Sequence, residues 1–149
     1  CTNGVVTHWD TRNLRAALGA GLVPLIYGDV AFDTVRGGTI TSTETLFFYL
    51  AGQLEVRRIF LLGEVEGVLD ASGQLVRFIT PASLANIEAA LRGSGGTDVT
   101  GGMETKVRDM VALVQEVPGL EVRILDGRDP QRLFRALTGA SPEGTLISR

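Results

Sequence analysis

Gly93-Ser-Gly-Gly-Thr-Asp-Val-Thr-Gly-Gly-Met-Glu-Thr-Lys106 is the most informative stretch of this chain. Its glycines let the backbone adopt conformations closed to other residues, and they let a ligand approach the main chain closely. The apolar positions that follow, Met103, Val107, Met110, Val111 and Val114, recur at helical spacing, so the loop is expected to enter a helix ending near Val117. A glycine-rich loop that runs into a helix start presents free N–H groups and the positive end of the helix dipole to an anion. The dipole contributes only ~0.3–2 kcal/mol, so a side-chain cation must supply more. Lys106 lies about one turn in, at the edge of the apolar stripe, where its flexible stem can turn back toward the loop.

Two familiar phosphate fingerprints do not fit the loop. Gly96 and Gly101 have the P-loop spacing, but Gly102 occupies the position of the required lysine. Gly93 and Gly95 begin like a dinucleotide-binding turn, but Asp98 stands where the third glycine belongs.

Outward from the loop, short apolar runs alternate with helical patterns, the mark of an α/β sheet. Upstream, Thr11 to Ala20 reads as a helix capped by Asp10 or Thr11 and ended by Gly21. Leu22 to Tyr27 reads as a buried strand, and a small hairpin is expected to turn at Gly37-Gly38. Ser42 to Leu54 reads as a helix with Leu46, Leu50 and Leu54 on one face. Arg57 to Leu62 reads as a second buried strand, with short extended pieces, Val65 to Leu69 and Leu75 to Ile79, around Ser72-Gly73. Thr80-Pro81 is expected to open a helix through Leu91. Downstream, Leu120 to Leu125 is a third strand, exposed on the face of Glu121 and Arg123. Asp129-Pro130 starts a last helix that ends near Gly139, and Thr145 to Ile147 is a final strand.

The bulk properties exclude several classes. The chain has 149 residues, 44% hydrophobic and 21% charged, which suits one globular domain with a core. A net charge of -3 with scattered basic residues gives no nucleic-acid footprint and no membrane-surface patch. No apolar run is long enough to span a bilayer. Cys1 is the one cysteine, so no internal disulfide can form and a reducing, cytoplasmic setting is expected.

Asp98-Val-Thr-Gly-Gly-Met103-x-x-Lys106 resembles the phosphate-binding motif of isopentenyl phosphate kinases in the amino acid kinase superfamily; related Gly-Gly-Met-x-x-Lys forms occur in acetylglutamate kinase. Other segments resemble that family in order. Val23 to Val30 is similar to its strand ending in Gly-Asp-Val, and Thr41 to Ala51 to its Ser-Gly-Asp stretch with the following helix. Leu62 to Val68 is similar to its Thr-Asp-Val-Asp-Gly-Val segment, and Ile124 to Ile147 to its closing strand, helix and strand.

The resemblance implies an open, mostly parallel sheet with helices on both faces. It implies transfer of the ATP γ-phosphoryl group to isopentenyl phosphate, with Mg²⁺ on the phosphates, and a homodimer. Lys106 and Glu44 would be catalytic; Gly63, Glu64, Glu66, Gly67, Gly101 and Gly102 would join Lys106 around the nucleotide; Gly28, Asp29 and Thr43 would face the acceptor. No residue is expected to ligate a metal directly. Glu44, Glu64 and Glu66 replace the family's Asp, and Thr43 replaces a Gly. The family's first glycine loop, its N-terminal lysine and its acceptor-binding histidine have no counterpart here; His8 does not match and reads as a surface or packing residue. The chain is therefore expected to be a C-terminal portion, inactive alone. A fosfomycin-kinase-like acceptor and a non-catalytic nucleotide-binding role are the alternatives.

Overall fold

A computed structural model describes residues 1–87, 102–140 and 142–149. The chain divides into two compact units, Cys1–Glu55 and Val56–Arg149.

In the first unit, helix α1 spans Arg12–Gly19. Thr11 holds the N-cap position without a side-chain bond, and it is Asp10 that accepts the Arg12 N–H at 3.1 Å. Strands β1 (Val30–Asp33) and β2 (Gly37–Ile40) pair antiparallel. The expected turn at Gly37-Gly38 is displaced, because both glycines belong to β2 and the turn is residues 34–36. Asp33 causes this: its carboxylate accepts the N–H groups of Val35 and Arg36, both at 2.9 Å, and so closes the turn ahead of the glycines. Helix α2 spans Thr43–Gln53, with Ser42 as N-cap accepting the Thr45 N–H at 3.1 Å. Its Leu46 and Leu50 are buried on the expected face together with Ala51, whereas Leu54 is the C-cap and only half-buried.

The run from Leu22 to Tyr27 is not the buried strand that its composition suggests. Val23 and Leu25 are more than nine-tenths exposed, and Leu22 and Tyr27 are also open. A strand is completed by its neighbours, and among the described residues none pairs with this run. Pro24 further removes one ladder donor.

The second unit is built on a four-stranded sheet in the order β3-β5-β6-β4, where β3 is Arg58–Gly63, β4 Phe78–Ile79, β5 Glu121–Asp126 and β6 Thr145–Ile147. Strands β3 and β5 are parallel, as are β4 and β6, while β5 and β6 are antiparallel. The sheet is thus mostly parallel, as expected. Among the described residues β3 lies at the edge of the sheet, and only Ile59 of its residues is buried, rather than the whole run. Strand β5 is central, and its burial extends through Leu125 and Asp126, beyond the simple alternation of Glu121 and Arg123.

Helix α3, Gly102–Glu116, buries Val107, Met110, Val111, Leu113 and Val114 and packs on β5 and β6. Helix α4, Pro130–Thr138, packs on β5. It is delimited as its sequence dictates: Asp129 caps it by accepting the Gln131 N–H at 2.9 Å, Pro130 takes the first position, and Gly139 ends it at φ 72°. Residues 58, 60, 121 and 123 line a cleft with Ala136 and Gly139, so α4 lies over that face of the sheet. Val122 and Ile124, on the other side of the pleat, are buried.

The helix expected from Thr80-Pro81 begins later, at residue 84, after a turn. Thr80 and Ser83 satisfy each other instead, with the Thr80 N–H donating to Ser83 Oγ at 2.9 Å and the Ser83 N–H to Thr80 Oγ1 at 3.2 Å. Its expected end at Leu91 lies outside the described residues. Among the described residues, no helix is long and apolar enough to cross a membrane.

Candidate functional site

The C-terminal edge of the parallel pair β3 and β5 carries most of the expected nucleotide-binding residues. Gly63 closes β3 opposite Asp126, which closes β5. The two strand ends are tied by the Gly127 N–H donating to the Gly63 carbonyl at 2.9 Å. Gly127 is required there, because a Cβ would stand 2.9 Å from the Leu62 Cβ.

From Gly63 the chain turns through Glu64 and Glu66, both exposed, to Gly67. Gly67 has φ 155°, and a Cβ on it would stand 2.6 Å from Thr145 Oγ1 and 2.7 Å from Leu75 Cδ1. The buried Thr145 hydroxyl accepts the Val68 N–H at 2.8 Å and donates to the Val76 carbonyl at 2.7 Å. The path of the turn is therefore set from beneath, while Glu64 and Glu66 face outward.

Helix α3 brings Lys106 to the same edge. A short connection, residues 117–120, joins the end of α3 to the start of β5. A 15-residue helix is ~22 Å long and a six-residue strand ~20 Å. Because α3 packs on β5, its first turns lie at the strand's C-terminal end. Gly102 opens α3 with φ 54°, and Lys106 is exposed one turn later. Gly101 and the rest of the glycine loop lie outside the described residues.

Sequence reasoning missed one pair at this edge. Asp126, almost wholly buried, accepts three bonds from Arg128: the backbone N–H at 2.9 Å, Nε–H at 2.9 Å and Nη2–H at 2.7 Å. The guanidinium and the backbone amide hold the Asp126 carboxyl far below the usual carboxylate range, with Arg132 adding to the effect. The Arg128 pKa is raised, chiefly by its bonds to Asp126 and also by the charge of Glu64. The available signal was Asp126-Gly-Arg128-Asp129-Pro130, charged residues packed into a strand-to-helix junction.

The expected acceptor residues all lie in the first unit. Gly28 touches the start of α2: a Cβ there would overlap the Thr41 carbonyl oxygen and stand 3.0 Å from the Ser42 carbonyl carbon and 3.1 Å from the Thr43 nitrogen. The Asp29 carbonyl accepts both the N–H and the hydroxyl of Thr41, each at 2.9 Å. These contacts bring Gly28, Asp29 and Thr43 together, with Glu44 half-buried in the first turn of α2. His8 is exposed, beside a cleft of about 310 Å³ that Trp9, Phe32 and Leu46 also line. Among the described residues, no group of three or more His, Cys, Asp or Glu is placed to hold a metal ion.

Residues 1–126 match the family model described as the amino acid kinase family. The chain belongs to the amino acid kinase family. Over 130 residues it is 40% identical to an isopentenyl phosphate kinase of Haloferax volcanii, a match covering 87% of this chain and 48% of that protein. It is also 34% identical over 145 residues to an acetylglutamate kinase of Erythrobacter litoralis, covering 97% of this chain and 46% of the relative. Among solved structures, an isopentenyl phosphate kinase superposes with a TM-score of 0.74 at 25% identity, over 97% of this chain and 53% of that one. This amino acid kinase family chain thus spans about half the length of the curated relatives it matches.

Proposed function

We propose that this chain is the nucleotide-binding, C-terminal part of an ATP-dependent kinase that passes the γ-phosphoryl group to isopentenyl phosphate, giving isopentenyl diphosphate. One observation carries the reading: 40% identity to an isopentenyl phosphate kinase over 87% of the chain, supported by the resemblance of Gly102-Met103 and Lys106 to that family's phosphate-binding motif.

Phosphoryl transfer depends on positioning and charge neutralisation more than on covalent help. Lys106 takes charge on the β- and γ-phosphates as it builds up, and the amides at the start of α3 supply further donors. Gly63, Glu64, Glu66 and Gly67 line the nucleotide, together with Gly101 and Gly102. Glu44 orders the reacting groups, while Gly28, Asp29 and Thr43 hold the acceptor. The acceptor is already an anion, so no strong general base is required. Mg²⁺ on the nucleotide would neutralise part of the phosphate charge. The same resemblance leads us to expect a homodimer, and the single cysteine a reducing, cytoplasmic setting.

Supplying the intact protein with ATP and isopentenyl phosphate tests this reading, with isopentenyl diphosphate as the expected product. A second reading, phosphorylation of N-acetylglutamate, is favoured by the acetylglutamate kinase match. Parallel assays with N-acetylglutamate and with fosfomycin separate the acceptors. Failure to phosphorylate any of the three, with ATP still bound, would favour a non-catalytic nucleotide-binding protein.

A further inference from the structure

We infer that Arg128, oriented by Asp126, holds the nucleoside end of the nucleotide rather than its phosphates. The inference rests on the nucleotide site proposed above and assigns a new residue to it.

Three observations support it. First, Arg128 stands at the C-terminal edge of β5, immediately after the tie between Gly127 and Gly63 and within electrostatic reach of Glu64. Second, the guanidinium is fixed but not used up. Asp126 takes the Nε–H and one Nη2–H, and a guanidinium has five N–H donors in all. The carboxylate side chain is 11% exposed whereas the arginine side chain is 66% exposed, so the remaining donors face outward. A buried carboxylate that grips one edge of a guanidinium sets the direction of the other edge.

Third, the local charge suits a neutral polar ligand. Asp126, Asp129 and Glu64 outnumber Arg128 and Arg132 at this junction. A polyphosphate would be repelled there and is better served by Lys106 and the amides of α3. A ribose and a base offer hydroxyl donors to the Glu64 carboxylate and ring acceptors to the Arg128 guanidinium. The arrangement divides the nucleotide between two ends of one strand edge.

The test titrates ATP, adenosine and inorganic tripolyphosphate into the intact protein and its Arg128→Ala, Arg128→Lys and Asp126→Asn variants. Removing one charge-assisted contact should weaken ATP and adenosine about tenfold in Arg128→Ala and leave tripolyphosphate unchanged. Arg128→Lys keeps the charge but not the fork, so it should behave as Arg128→Ala does. Asp126→Asn should show a smaller loss with the same selectivity. Unaltered ATP affinity in both folded Arg128 variants overturns the inference and leaves the nucleotide site standing. A proportionate loss of tripolyphosphate affinity also overturns it, by moving the contact to the phosphates. Wild-type protein that binds neither ATP nor adenosine removes both readings together.

Discussion

Gly67 lies against Thr145 so closely that a Cβ on the glycine would stand 2.6 Å from the threonine hydroxyl. That hydroxyl is fully buried and serves both the Val68 N–H and the Val76 carbonyl. Thr145→Val keeps the shape and leaves two backbone groups unsatisfied. It should cost about 1–3 kcal/mol for each group left bare, read as a lower urea midpoint with an unchanged slope. A midpoint equal to wild type would mean that the turn carrying Glu64 and Glu66 is held by something else.

Lys106→Ala removes an exposed side chain whose helix is anchored elsewhere, by Val107, Met110 and Val114. The circular dichroism spectrum should keep its wild-type form and the melting temperature should move by no more than a few degrees, since a contact made by an exposed lysine contributes about 0–1 kcal/mol. Phosphoryl transfer by the intact protein should fall by roughly 10²–10³, the scale seen when one preorganised charge-stabilising group is lost. Near-normal turnover would remove Lys106 from the mechanism.

Acid should selectively loosen the β1–β2 hairpin through Asp33. Its carboxylate is buried and accepts the N–H groups of Asn3, Gly4, Val35 and Arg36. Those bonds, the Gly4 one foremost, hold its pKa far below the usual carboxylate range. The folded value lies below the unfolded one, so the stabilisation is fully present above about pH 4 and is lost as pH falls through the folded pKa. Asp33→Asn should melt lower than wild type at pH 7, and the gap should close as the pH drops below about 4. A constant gap across that range would show that the charge is not what the turn uses.

Much of this fold was legible because certain signals are local. The Asp129-Pro130 start and Gly139 end of α4 depend on side chains and backbone angles within that helix. The apolar stripe of α3 needs only helical periodicity. The run from Leu22 to Tyr27 misled for the opposite reason: its apolar residues specify a strand only if another strand pairs with it, and composition cannot say which. The hairpin turn was misplaced because Gly37-Gly38 looked like the stronger signal, whereas the Asp33 carboxylate captures the preceding residues. At the candidate site, the family motif pointed to Gly63, Glu64 and Lys106. It was silent on Arg128, whose role depends on a buried partner two residues away.

Gly28 provides the sharpest probe of the acceptor residues. A Cβ at this position would collide with the Thr41 carbonyl and crowd the first residues of α2, where Thr43 and Glu44 sit. The backbone cannot yield without shifting that helix start, because the Asp29 carbonyl is bonded twice to Thr41. In the intact protein, Gly28→Ala should therefore raise the KM for the phosphate acceptor about tenfold, the cost of misplacing about one charge-assisted hydrogen bond to it. The residues proposed to hold ATP all belong to the other unit, so ATP affinity should remain at the wild-type value. Steady-state kinetics with each substrate varied in turn decide the matter. Equal losses for both substrates would point to general unfolding of the first unit, and no loss for either would remove Gly28 and its neighbours from the acceptor site.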